Sequence, residues 1–93
     1  MPPSFDAAYL RNQPPRYPAA SRRTGETGRV LLRVLVSATG EPEKVELHTS
    51  SEFERLDNAA LETVRTWKFV PAHQAGRAVA AWVQVPISFS LSR

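Results

Sequence analysis

The sequence predicts an α+β domain. It reads as a small three-stranded antiparallel sheet in the order strand, strand, helix, strand, with the helix packed on one face and an N-terminal arm carrying a short helix. Three observations predict this. Val79, Ala81, Val83, Val85, Ile87, Phe89 and Leu91 place an apolar residue at every odd position, while Ala80, Trp82, Gln84, Pro86, Ser88 and Ser90 fill the even ones; that is the period of a strand. In the segment 29–37, Val30, Leu32, Val34 and Val36 share one face and the β-branched content favours a strand. Between them, Leu56, Ala60, Leu61, Val64 and Trp67 fall at helical spacing.

The elements follow in chain order. The 93 residues, 42% hydrophobic, fit one small domain. Five of the eight prolines fall within the first 18 residues, so residues 1–16 read as an extended arm or linker end without core contacts, and the domain proper as 17–93. Pro18 suits the first turn of a short helix through Ala19, Ala20, Ser21 and Arg22. Gly25 and Gly28 punctuate a turn before the first strand. Thr39-Gly40-Glu41 turns the chain into a second strand, in which Val45, Leu47 and Thr49 alternate with Glu46 and His48. Ser51 with Glu54 fits a capping box, Asp57 is a second candidate cap, and Pro71 is expected to end the helix. Pro86 cannot donate a ladder hydrogen bond, so the last strand belongs at an edge or carries a bulge.

Composition excludes several function classes. The chain has no cysteine, hence no disulfide, thiolate zinc site or cysteine nucleophile. His48 and His73 lack neighbours at ligand spacing, so no metal is expected. No nucleophile–base pair, phosphate loop or paired-acid constellation appears, which argues against an enzyme and against a cofactor. The net charge is +3, but the basic residues are scattered apart from Arg22-Arg23, unlike a nucleic-acid footprint. No apolar run approaches the roughly 20 residues that span a bilayer.

What remains is binding. A long edge strand is either blunted or used, and strand addition needs unpaired backbone along an edge with few side-chain constraints. The run Val79, Ala80, Ala81, Trp82, Val83, Gln84 and Val85 offers this, with Trp82 and Gln84 on the face away from the helix.

The chain resembles the TonB C-terminal domain family. The resemblance runs through Arg11-Asn12-Gln13-Pro14-Pro15-Arg16-Tyr17-Pro18, Gly25-Glu26-Thr27-Gly28-Arg29-Val30, the turn at Thr39-Gly40, Ser50-Ser51 with Leu56-Asp57-Asn58-Ala59-Ala60-Leu61, Trp67-Lys68-Phe69-Val70-Pro71-Ala72, Gly76, and Val83-Gln84-Val85-Pro86-Ile87-Ser88-Phe89. It covers about residues 9–91. The chain departs from the pattern at Glu52, where many relatives have glycine, and at Glu41-Pro42.

The resemblance implies a periplasmic module of an energy transducer that grips the TonB box of an outer-membrane receptor. An inner-membrane anchor and motor proteins would act through a part of the protein upstream, serving active uptake of iron-siderophore, haem or similar cargo. It also implies a second contact region in the arm, at Gln13 with Arg11 and Asn12 beside it, and at Pro14 and Tyr17 in the same stretch. Two other readings stay open: a structural oligomerisation domain, forming a homodimer through the same strand, and a TolA-like periplasmic interaction domain.

Overall fold

A computed structural model describes residues 2–6 and 10–91. Its elements are α1 (Ala19–Thr24), β1 (Gly28–Val36), β2 (Pro42–Thr49), α2 (Glu54–Val64), β3 (Ala72–Gln74), β4 (Arg77–Val79) and β5 (Ala81–Phe89). β1 is central in a three-stranded antiparallel sheet of order β2-β1-β5. The expected α+β architecture is present, and β3 and β4 add a small hairpin of their own. The apolar alternation through residues 77–91 therefore spans two strands, with Ala80 between them.

The core forms where the alternating faces meet the helix. Val30, Leu32, Val34 and Val36 of β1 are fully buried, facing Leu56, Ala60 and Val64 of α2. Val85, Ile87 and Phe89 extend this layer onto β5. Each such side chain contributes about 1.5–3 kcal/mol by leaving water, so the strand period fixes the register of β1 against its neighbours.

The helix begins later and ends earlier than its sequence signals imply. Phe53 occupies the N-cap position and makes no side-chain cap bond. Ser51 instead closes a local turn, its hydroxyl oxygen accepting from the Phe53 N–H at 3.2 Å. Asp57 is the residue that organises this end. It is 6% exposed and accepts hydrogen bonds from the Ser51 N–H at 2.9 Å, the Ser51 hydroxyl at 2.8 Å and the Ser50 hydroxyl. At the other end α2 stops at Val64, well before Pro71, and the chain turns so that Trp67 and Phe69 enter the core.

That turn depends on Gly40. The Phe69 N–H donates to the Gly40 carbonyl at 2.9 Å. Gly40 has φ +86°, and a Cβ there would lie 2.3 Å from the Phe69 carbonyl oxygen. Only glycine combines this backbone with so close an approach.

The arm is not a free tether. Ser4 and Val70 exchange backbone hydrogen bonds at 3.0 and 2.7 Å. Phe5 stacks on Trp67 at 5.8 Å between ring centroids. The Asn12 amide donates to the carbonyls of Phe5 and Lys68 at 2.9 and 2.8 Å and accepts from the Lys68 N–H at 2.8 Å. The Trp67 indole N–H donates to the Gln13 carbonyl at 2.7 Å. The physical reason is the early stop of α2: its last turn leaves Trp67, Lys68 and Phe69 with backbone and aromatic surface that the arm covers.

Candidate partner-binding edge

β1 and β5 pair without a bulge from Gly28–Phe89 to Val36–Ala81. Leu31 stands opposite Pro86 in this ladder. In an antiparallel ladder, pairs that exchange both N–H···O bonds alternate with pairs that exchange none. Proline has no N–H, so Leu31–Pro86 belongs to the second kind. The rest of the register follows. Ala81, Val83, Val85, Ile87 and Phe89 direct their backbone groups at β1; Trp82, Gln84, Pro86 and Ser88 direct theirs away from it. Among the described residues, β5 has a strand neighbour on one side only, so the even positions form an open edge.

The sheet has a second edge, β2, of different character. Its register against β1 shifts between Leu31 and Leu32 and again between Leu35 and Val36. Its sequence, Pro-Glu-Lys-Val-Glu-Leu-His-Thr, is densely charged. Bulges and charges are the usual means of blunting an edge. β5, Ala-Trp-Val-Gln-Val-Pro-Ile-Ser-Phe, carries no charge over nine residues.

The side chains of β5 sort by the same parity. Val85 is buried against Leu32, and Ala81 and Val83 are half-buried opposite Val36 and Val34. Gln84 is exposed opposite Arg33. Trp82, opposite Leu35, is 37% exposed. The Arg33 guanidinium lies over its ring, 4.1 Å from the centroid, close enough for a cation–π attraction that holds the indole on the sheet. Arg33 also faces Glu46 across the sheet at 3.7 Å. Sequence reasoning singled out Trp82 but not Arg33. The signal lay in the pattern, since Arg33 occupies the outward face of the central strand.

The remaining candidates divide. Val79 ends β4, paired with Ala72, and Ala80 lies between the two strands; neither belongs to the β5 edge. In the arm, Asn12 is occupied by the Lys68 backbone. Gln13 has its carbonyl engaged by Trp67 while its side chain is exposed, and Pro14 is exposed. Arg11 is exposed and takes φ +55°. Tyr17 donates from its hydroxyl to the Glu26 carbonyl, and its ring meets Phe89 edge-on at 5.4 Å. The arm thus reaches β5 through Tyr17, at the end of the strand away from Ala81. Beside it, Tyr17, Arg22, Ser90 and Leu91 line a shallow cavity of about 470 Å³. No group of three metal-ligating side chains occurs among the described residues, and no helix among them is long and apolar enough to cross a membrane.

An open-edged sheet backed by one helix and a docked arm makes a small α+β domain. Comparison with known proteins makes the class specific: residues 13–91 match the family described as Gram-negative bacterial TonB protein C-terminal, and the chain belongs to that family. It is 48% identical over 90 residues to Protein tonB2 of Pseudomonas aeruginosa, covering 97% of this chain and 33% of that protein. It is 38% identical over 89 residues to Protein TonB of Xanthomonas campestris pv. campestris, covering 96% of this chain and 40% of that protein. The chain thus spans well under half the length of these relatives. Its fold matches the solution NMR structure of the Pseudomonas aeruginosa TonB CTD with a TM-score of 0.76, covering 90% of this chain and 85% of that one at 24% identity.

Proposed function

We propose that this chain is the gripping end of a periplasmic energy transducer, a binding module with no catalytic role. It takes a short extended segment of an outer-membrane receptor, the TonB box, as an added strand on β5. An inner-membrane anchor and its motor proteins act through the part of the protein that precedes this domain. The cargo is an actively imported one, such as an iron-siderophore or haem. Family membership supports the general role. The observation that carries the binding mode is the straight, uncharged open edge of β5, set against the bulged and charged edge of β2. Backbone pairing at Trp82 and Gln84 supplies affinity, and the outward side chains, with Gln13 and Arg11 of the arm, supply selectivity.

The test is a titration of the isotopically labelled domain with a receptor peptide containing the box. The largest amide shifts are expected at Trp82 and Gln84. Gln84→Pro removes an edge donor without touching the ladder to β1, and should weaken binding at least ten-fold, about 1.4 kcal/mol. Leu47→Pro, on the exposed part of β2, should leave the affinity within about two-fold, since no peptide pairs there. Shifts centred on α2, or equal losses from both variants, would remove the basis for strand addition on β5.

A further inference from the structure

Pro86 sits in the middle of the open edge, and its position decides what the edge accepts. The inference builds on the strand-addition reading and asks which strands are admitted. The edge offers N–H and C=O at Trp82 and Gln84, C=O alone at Pro86, and both groups again at Ser88, by the parity that the Leu31–Pro86 pair imposes. The missing donor is replaced by the proline ring, which projects toward an approaching strand. A short segment laid against Ala81–Val85 makes full use of Trp82 and Gln84 and meets no obstacle. A longer strand must cross Pro86 before it reaches Ser88.

A second copy of this chain is such a longer strand. Two identical edges pair about a two-fold axis, and outward positions must face outward positions. An axis through Gln84 sets Pro86 of each copy against Trp82 of the other. An axis midway between Gln84 and Pro86 sets Pro86 against Gln84. An axis through Pro86 sets the two prolines against each other. Every register that uses three or more outward positions thus leaves a donor missing in each copy and brings a proline ring into the ladder. The registers that escape are centred on Trp82, between Trp82 and Gln84, or on Ser88, and they use at most two outward positions of each copy. The strand is otherwise the kind that self-associates, being nine residues long, uncharged and regular in register.

We propose that Pro86 is the residue that makes the β5 edge selective, admitting a short extended peptide from another protein at Ala81–Val85 while turning away a second copy of the chain. Proline on an edge is a recognised defence against unwanted pairing. Here it guards half of the edge and leaves the other half free.

The experiment compares the unaltered domain with Pro86→Val and Pro86→Thr, folding being checked by circular dichroism. Sedimentation of the free proteins should show dimers of the variants at concentrations at least ten-fold below any at which the unaltered domain associates. Adding Gln84→Pro to Pro86→Val should restore the monomer. With receptor peptide bound, hydrogen exchange should protect the Gln84 amide but not that of Ser88 in the unaltered domain, and both amides in Pro86→Val. Equal association of all three proteins, or a dimer of the unaltered domain held through β5, would overturn the proposal. Should the peptide fail to bind any of them, the receptor reading falls, while the sedimentation result still decides what Pro86 does.

Discussion

The two ends of α2 are secured by opposite means. At the N-terminal end, one carboxylate reaches back to the turn before the helix, where Asp57 gathers the Ser50 hydroxyl with the N–H and hydroxyl of Ser51. Everything involved lies within a few residues, and the clasp carries a charge. At the C-terminal end the clasp is made by neutral amide and backbone groups from far away in sequence, with the Lys68–Glu41 ion pair at 2.8 Å beside them. Asn12 and Gln13 hold Lys68 and Trp67 across separations of 56 and 54 residues, and Gly40 receives Phe69. A local charged clasp forms with little loop-closure cost and responds to acid; a long-range one costs more chain entropy to close. The helix is thus fixed to its own loop at one end and to the rest of the domain at the other.

The contrast is broken most severely at Gly40. Gly40→Ala imposes left-handed strain of about 1–2 kcal/mol and an overlap with the Phe69 carbonyl. Urea unfolding should show a loss of about 3 kcal/mol or more. A loss under about 1 kcal/mol would mean that the junction yields easily.

Next comes Asp57. Burial pushes its carboxyl up, but the hydrogen bonds from Ser50 and Ser51 together outweigh this and hold it below its ordinary value. A lowered folded-state pKa stabilises the fold above the unfolded value, about 3.9, and that stabilisation is lost as pH falls through the folded value. Asp57→Asn should cost about 2 kcal/mol near neutral pH, as charge-assisted bonds are lost. Its deficit relative to the unaltered domain should shrink on acidification below the ordinary carboxylate range. A deficit that stays constant with pH would show that the charge is irrelevant to the clasp.

Asn12→Ala tests the opposite end. It should cost about 1–2 kcal/mol in urea unfolding, as the two donated and one accepted hydrogen bonds of the amide are lost; no change would mean that the arm is not held there. The smallest effect is expected at Glu52, which holds φ +78° beside the Asp57 clasp. Glu52→Gly relieves that strain and should raise stability by roughly 0.5–1 kcal/mol. A loss on glycine substitution would mean that the glutamate side chain makes up for its own backbone strain.

The same contrast explains what the sequence could reveal. β1 and β5 were legible because alternation is a local pattern, and Pro86 marked β5 as an edge. The Ser50-Ser51-Asp57 group was legible as a set of helix-start residues. Its wiring was not, since a serine that caps and a serine that donates to a buried carboxylate look alike in one dimension. The arm was legible as extended chain leading into a short helix, but not as a segment with core contacts. Its prolines signal extended chain, and extended chain that lies on a surface has the same composition as extended chain that leaves it. Docking rests on Asn12, Gln13 and Phe5 meeting Trp67 and Lys68, an encounter no spacing rule anticipates. The break at Ala80 escaped for a related reason: β4 and β5 share one alternation although they pair with different strands.

The seated arm also sets a length. An extended residue covers at most about 3.5 Å, so the stretch between Ser4 and Tyr17 represents up to roughly 45 Å of chain. While Ser4 stays bridged to Val70 and Asn12 to Lys68, both points are held on the body, and the chain between them and Tyr17 adds little to the span of any tether joined upstream. Once the bridge and the Asn12 contacts open, the same residues become slack. Opening of the arm would thus lengthen the reach of the domain, with its contacts to Trp67, Lys68 and Val70 as the points of release.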